Sequence, residues 1–174
     1  MASKFTDLSF LSTRKDVNAS DFDLPAEFYT FIVKNDEIIN LSKKLKEYSE
    51  KIPHFKYIRK QPDDLTHSCV FVPTKMELET LKTVVKNDCT CFKETITLNI
   101  KNFTMEEIFS SFIPNDVYHP FSFETIGHIA HFNLTDQFYD FKHKIGKIVL
   151  LKNPTIKTVI NKVSNIENEF RNVS

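Results

Sequence analysis

Glycine is the residue that most constrains this chain. Of 174 residues only Gly127 and Gly146 are glycine, and neither stands in a G-x-G pattern. Domains that bring their backbone against a nucleotide do so through a glycine-rich turn after the first strand, where a positive φ is reached without a Cβ clash. No such turn can be written here, so a doubly wound nucleotide-binding domain is not expected among these residues. With 41% hydrophobic residues, seventeen of them phenylalanine, the chain can bury one sizeable core or two small ones. Apolar runs such as IVLL at 148–151 fall far short of the roughly 20 residues that a membrane span requires. No membrane partner is expected.

Strand-like and helix-like segments alternate along the first two thirds. FYTFIV at 28–33, rich in aromatic and branched residues, reads as a strand. The next segment, 36–52, reads as a helix with Ile38, Ile39, Leu41, Leu45, Tyr48 and Ile52 along one face and Pro53 ending it. FKYIR and SCVFV read as short strands around a loop holding Pro62, Asp63 and Asp64. A helix over 75–87 follows, with Thr74 and Glu77 spaced as a capping box. CFKETITLNI reads as a half-buried strand, and Thr104 with Glu107 repeats the capping spacing before the helix EEIFSSFI, which Pro114 closes. The βαββαβα order predicts a small α+β domain over 21–114, preceded by a tail at 1–20 and followed by a linker at 115–122.

The remaining stretch, 123–174, reads as a second domain: a strand FETIGHIAHFNL, a helix over Asp136–Lys144 entered at Thr135, then strands KIVLL, IKTVINKV and IENEFR. A mixed sheet with one helix is the simplest assembly, and it leaves an edge or face open to association. This stretch also carries the charge. From Phe141 to Ile166 there are six lysines, Lys142, Lys144, Lys147, Lys152, Lys157 and Lys162, and no aspartate or glutamate, while the whole chain has a net charge of zero. Lysine without counter-charge attracts phosphate, which makes nucleic acid the leading partner against the alternative of a merely solvated face. Five of these lysines recur every five residues, which matches neither the helical nor the strand period. A single stripe along one element is therefore not expected.

The strings TIGHIAHFNL, KIGKIVLLKNPTIKTVINK and IENEFR, in this order, resemble the middle region of the archaeal and eukaryotic tRNA (guanine-37 N1)-methyltransferase family. The likeness thins from Ser20 to Asn115, where LNIKNFTMEEIFSSFIP carries most of it, and is absent before Ser20. The resemblance implies a tRNA-binding first domain that checks the outer corner of the tRNA, and a middle domain that packs on a catalytic domain near the anticodon. It also implies S-adenosylmethionine as methyl donor in the full-length enzyme. This chain has no glycine-rich turn and no Asn-Pro-Pro-aromatic string, so it is expected to lack the Rossmann-like methyltransferase domain, to bind no donor and to be inactive alone. Its partners would be tRNA and that domain, in cis or in trans. By the same resemblance, Arg171 of the N-E-F-R string reaches the target guanine and holds O6 as charge develops there. Asn133 is expected to pin a turn. Thr135 stands where the family often has arginine, which removes one positive charge. The related aminocarboxypropyl-transferring enzyme of wybutosine synthesis, and a stand-alone RNA-binding or interaction module, remain as alternatives.

Other chemistries find less support. On a strand His128 and His131 would face opposite ways, so one metal could not take both. Cys89-x-Cys91 with Cys69 lacks the spacing of common zinc sites, and a Cys91–His119 nucleophile rests on residue types alone. Three cysteines point to reduced, structural thiols in a cytoplasmic protein, with nuclear or mitochondrial residence also open. The first fifteen residues carry Ser, Thr, Lys and Arg with one acid, yet no clean amphipathic arginine pattern.

Overall fold

The computed structural model describes residues 6–73, 75–85, 89–114 and 122–162. The chain divides into two compact units, one built on Ser20–Thr104 and the other joining Leu8–Ala19 to the chain from Met105 onward.

The first unit is organised by its longest strand. Strand β1 (Leu24–Lys34) runs over 11 residues, is buried on both faces at Thr30 and Phe31, and pairs antiparallel with both β3 (His67–Val72) and β4 (Thr90–Leu98). Strand β2 (Ile58–Lys60) pairs with β3, giving the order β2-β3-β1-β4. Helices α1 (Ile38–Leu45) and α2 (Leu78–Val85) complete a split βαββαβ arrangement. Both helices cover one face, where Leu41, Leu45, Leu81 and Val85 pack on Phe31, Val33, Val70 and Val72. Full burial of each such side chain stabilises by about 1.5–3 kcal/mol.

The strands expected from the sequence are present, but α1 is shorter than the helix expected over 36–52. After Leu45 the backbone leaves the helical path because better partners are available. Glu50 N donates to Pro73 O at 3.0 Å, and the Tyr57 hydroxyl accepts from Ile52 N while donating to Glu50 O at 3.1 Å. This swing buries Ile52 and seats Phe55 against Phe28, ring centroids 4.8 Å apart. Ile39, expected on the buried helical face, is exposed. Strand β4 stops at Leu98 because Asn99 caps a 3-10 turn at Ile100–Asn102: its side chain accepts from Lys101 N at 3.0 Å, and Asn102 Oδ1 accepts from Asn99 N at 2.9 Å. Thr74, the expected cap of α2, lies outside the described residues.

The second unit departs further from the expectations. Helix α3 (Met105–Ser110), assigned above to the first domain, belongs here, with Ile108, Phe109, Phe112 and Ile113 buried. The segment at 8–19 is not a tail: Leu8, Leu11 and Val17 are 3%, 0% and 0% exposed. The expected single strand FETIGHIAHFNL is a hairpin of β5 (Glu124–Ile126) and β6 (Ile129–Phe132). Gly127 makes the reversal at φ +59, a conformation that needs no Cβ. KIVLL is not a strand either. A 3-10 stretch at Asp136–Phe141 leads into helix α4 (Lys142–Lys152), which buries Ile145, Ile148 and Val149 at spacings i, i+3 and i+4. Strand β7 (Thr158–Asn161) then pairs parallel to β6, a geometry that requires the intervening crossover. The mixed three-stranded sheet β5-β6-β7 with one main helix matches the α+β expectation. The linker beyond Pro114, His119 and the IENEFR strand lie outside the described residues, apart from Ser122.

Candidate nucleic-acid interface

The six lysines expected to meet phosphate gather on two neighbouring elements. Lys142, Lys144, Lys147 and Lys152 all belong to α4, Lys157 directly precedes β7, and Lys162 directly follows it. Four of the lysines share a helix. They form no single stripe but divide by direction, two turning into the protein and two toward a groove.

Two of the four are drawn into the protein. Lys144 Nζ donates to Leu11 O at 2.6 Å and lies 4.8 Å from the centre of the Phe112 ring. Burial lowers its pKa. Burial likewise lowers that of Lys152, against the opposing field of Glu107. Lys144 thereby ties α4 to the segment at 8–19.

Lys142, Lys147 and Lys157 instead line a groove of about 500 Å³ between α4 and β7, floored by Phe132, Leu134, Val159 and Asn161. His143 adds a fourth nitrogen-bearing side chain to the rim. Lys162 borders a separate recess with His131, Asn133 and Glu124. Among the described residues, none of Lys142, Lys147, Lys157 and Lys162 lies within 4.0 Å of a carboxylate. Lys142 Nζ rests 4.7 Å over the Tyr139 ring, and Lys157 Nζ donates to Pro154 O at 3.3 Å. Such contacts position an ammonium without neutralising it, so the groove presents fixed positive charge over an apolar floor.

Asn161, which the sequence reading passed over, does the work assigned to Asn133. Its Oδ1 accepts from Leu134 N at 2.8 Å, tying the end of β7 to the turn after β6, while Asn133 is exposed. Lys162 N donates to Phe132 O at 2.9 Å and extends that tie. A signal was available: the asparagine lies in the strand-like run IKTVINKV, where a buried amide side chain needs a partner. His128 sits in the Gly127 turn rather than on a strand, and its carbonyl accepts from Lys157 N at 2.8 Å, so the backbone there serves to hold β7. No group of three His, Cys, Asp or Glu suited to a metal occurs among the described residues. Burial pushes the Cys91 pKa up to about 11, which disfavours the thiolate. Arg171 lies outside the described residues.

Residues 105–174 match the family described as the TYW2 N-terminal domain. A tRNA (guanine(37)-N(1))-methyltransferase of Dictyostelium discoideum is 37% identical over 160 residues, which is 89% of this chain and 35% of that protein. The enzyme of the same name from Entamoeba histolytica is 31% identical over 158 residues, covering 90% of this chain and 41% of the relative. The chain thus spans well under half of the length of these two relatives. Among solved structures, the crystal structure of WT Trm5b from Pyrococcus abyssi aligns with 82% of this chain and 39% of its own, at 17% identity and a TM-score of 0.35, too loose a likeness to carry the assignment. Two long alignments above 30% identity, each spanning nearly the whole of this chain, carry it instead: the chain belongs to the tRNA (guanine(37)-N(1))-methyltransferase family.

Proposed function

We propose that this chain holds tRNA for the methylation of guanine 37 at N1, with the α4–β7 groove as a phosphate-binding surface. The observation that carries the reading is the set of cations Lys142, Lys147, Lys157 and Lys162, none within 4.0 Å of a carboxylate among the described residues, in a chain whose net charge is zero. Lysine at this density serves backbone contact, which positions a nucleic acid without reading its sequence. The chain has no glycine-rich turn against which a nucleotide-like donor could lie, so S-adenosylmethionine is read as bound by a separate methyltransferase domain, in cis or in trans. In that assembly Arg171 would stabilise the charge that develops on guanine O6, and Arg171→Ala would lower the methyl-transfer rate by about 10²-fold while leaving tRNA affinity nearly unchanged.

Equilibrium binding of folded tRNA to the purified chain, followed by fluorescence anisotropy between about 50 and 200 mM salt, tests the reading. Three to five neutralised phosphates give a log–log slope of about −2 to −5. Absence of binding at low salt, or a slope near zero, contradicts it.

A further inference from the structure

The first unit carries a second cationic run, 51–62, which holds Lys51, Lys56, Arg59 and Lys60 and no acid, bounded by Glu50 and Asp63. All four cations are exposed, and Arg59 and Lys60 belong to the edge strand β2. Arg59 is held in an unusual pose. Its guanidinium lies 4.6 Å from the centre of the Phe71 ring and 5.3 Å from that of Phe55, and no carboxylate stands within 4.0 Å of it among the described residues.

The sheet register sets what shares its face. Arg59 pairs with Cys69, Cys69 with Ile32, and Ile32 with Thr90, while the next row is Phe71, Thr30 and Phe92. Directly opposed residues project to the same side, so Arg59, Phe71 and Phe92 lie on one face, opposite the face that α1 and α2 cover through Phe31 and Val70. Phe92 is 42% exposed there. The acid on this face, Glu94, is engaged: its carboxylate accepts from the Thr30 hydroxyl. An exposed ring and an unpaired planar cation thus stand three strand spacings apart, about 14 Å.

We propose that the exposed part of this face, at Arg59 and Phe92, takes unpaired nucleotides of RNA, one base stacking on the outer side of the Arg59 guanidinium and another on Phe92, with Lys56 beside the phosphates. The proposal rests on the reading that this chain binds RNA, but on different residues. Arginine planes and aromatic rings are the surfaces on which unstacked bases settle, and four-stranded sheets of RNA-recognition motifs stack two or three bases this way. A phosphate alone would need the cations and not the ring. A protein partner would need a larger apolar patch than one phenylalanine.

The test uses the whole chain with three probes: a fluorescent oligouridine of about ten nucleotides, an RNA duplex of the same length, and folded tRNA. The single strand is expected to bind more tightly than the duplex, and Phe92→Ala to weaken it roughly 5- to 100-fold. Arg59→Lys, which keeps the charge and loses the plane, is expected to weaken it within the same range. Thermal unfolding of each variant is recorded alongside, and a loss confined to variants that unfold early counts against the proposal. Equal binding of duplex and single strand, or an Arg59→Lys variant that binds like the parent, overturns it. If tRNA binding depends on Lys142, Lys147 and Lys157 yet is unmoved by Arg59→Lys and Phe92→Ala, this inference fails and the tRNA reading stands. If the parent chain binds none of the three probes, both fail.

Discussion

Two exposed lysines of the first unit meet opposite charges: Lys93 Nζ lies 2.7 Å from Glu27 Oε2, and Lys82 Nζ lies 3.0 Å from Glu79 Oε1. Along α4 and β7 of the second unit, Lys142, Lys147 and Lys157 meet rings, carbonyls and solvent instead. The same residue type serves local pairing at Lys82 and Lys93, and at the three groove positions holds no ion pair among the described residues. Exposed pairs contribute little to stability, so the contrast bears on partners more than on folding. It also separates two kinds of lysine on one helix, since Lys144 and Lys152 turn inward.

The largest expected effect tests whether the second unit depends on residues from the far end of the sequence. Leu11 is fully buried, and Leu11→Ala should cost about 2–5 kcal/mol, seen as a lower urea midpoint. Hydrogen exchange should place the loss in β6, α4 and β7. Uniform loss across both units, or none, would break the division drawn here.

Gly146 gives an effect of opposite sign. A Cβ added there would meet Val159 Cγ1 at 3.7 Å, an ordinary contact, so Gly146→Ala should stabilise α4 by about 0.5–1 kcal/mol. Destabilisation would mean that α4 and β7 lie closer than described.

Two smaller effects are read by pH. Burial lowers the Lys144 pKa below its ordinary 10.5, so between the folded and unfolded values the unfolded chain binds more protons and stability rises with pH. The penalty is complete below the folded pKa and gone above the unfolded one. Lys144→Met should remove part of that alkaline rise, leaving the share of Lys152. A rise unchanged in the variant would return Lys144 to the solvent-facing set. In the first unit, Asp64 has its pKa lowered chiefly by the Thr66 hydroxyl and backbone N–H, with His67 adding to it. Its contribution is present above about 3.8, the ordinary value, and is lost as pH falls through the lowered one. Asp64→Asn should flatten that acid limb slightly, measured as unfolding midpoint against pH.

The two units also differ in how far they could be read from sequence. Strands β1, β3 and β4 were legible because their side chains alternate or cluster as branched and aromatic runs that one face must bury. In α4 the same reasoning failed: Ile148, Val149 and Leu150 look like a strand when read consecutively, and only Ile145 one turn earlier reveals the helical spacing. The end of α1 depends on Tyr57 and Pro73, residues distant in sequence, so no local pattern announces it. The lysine field was legible as charge. Which lysines face outward was not, because the inward turn of Lys144 depends on Leu11 and Phe112, which the sequence alone does not bring together.

The salt dependence of tRNA binding by a Lys142→Gln, Lys147→Gln, Lys157→Gln variant tests the central claim most directly. These three side chains line one groove and hold no ion pair among the described residues, so their loss should leave the fold intact. The account predicts that the log–log slope flattens by about 2 to 3 units, with weaker binding at low salt and little difference at high salt. A variant with the slope and affinity of the parent would contradict it, and would place the tRNA surface of this chain somewhere other than the α4–β7 groove.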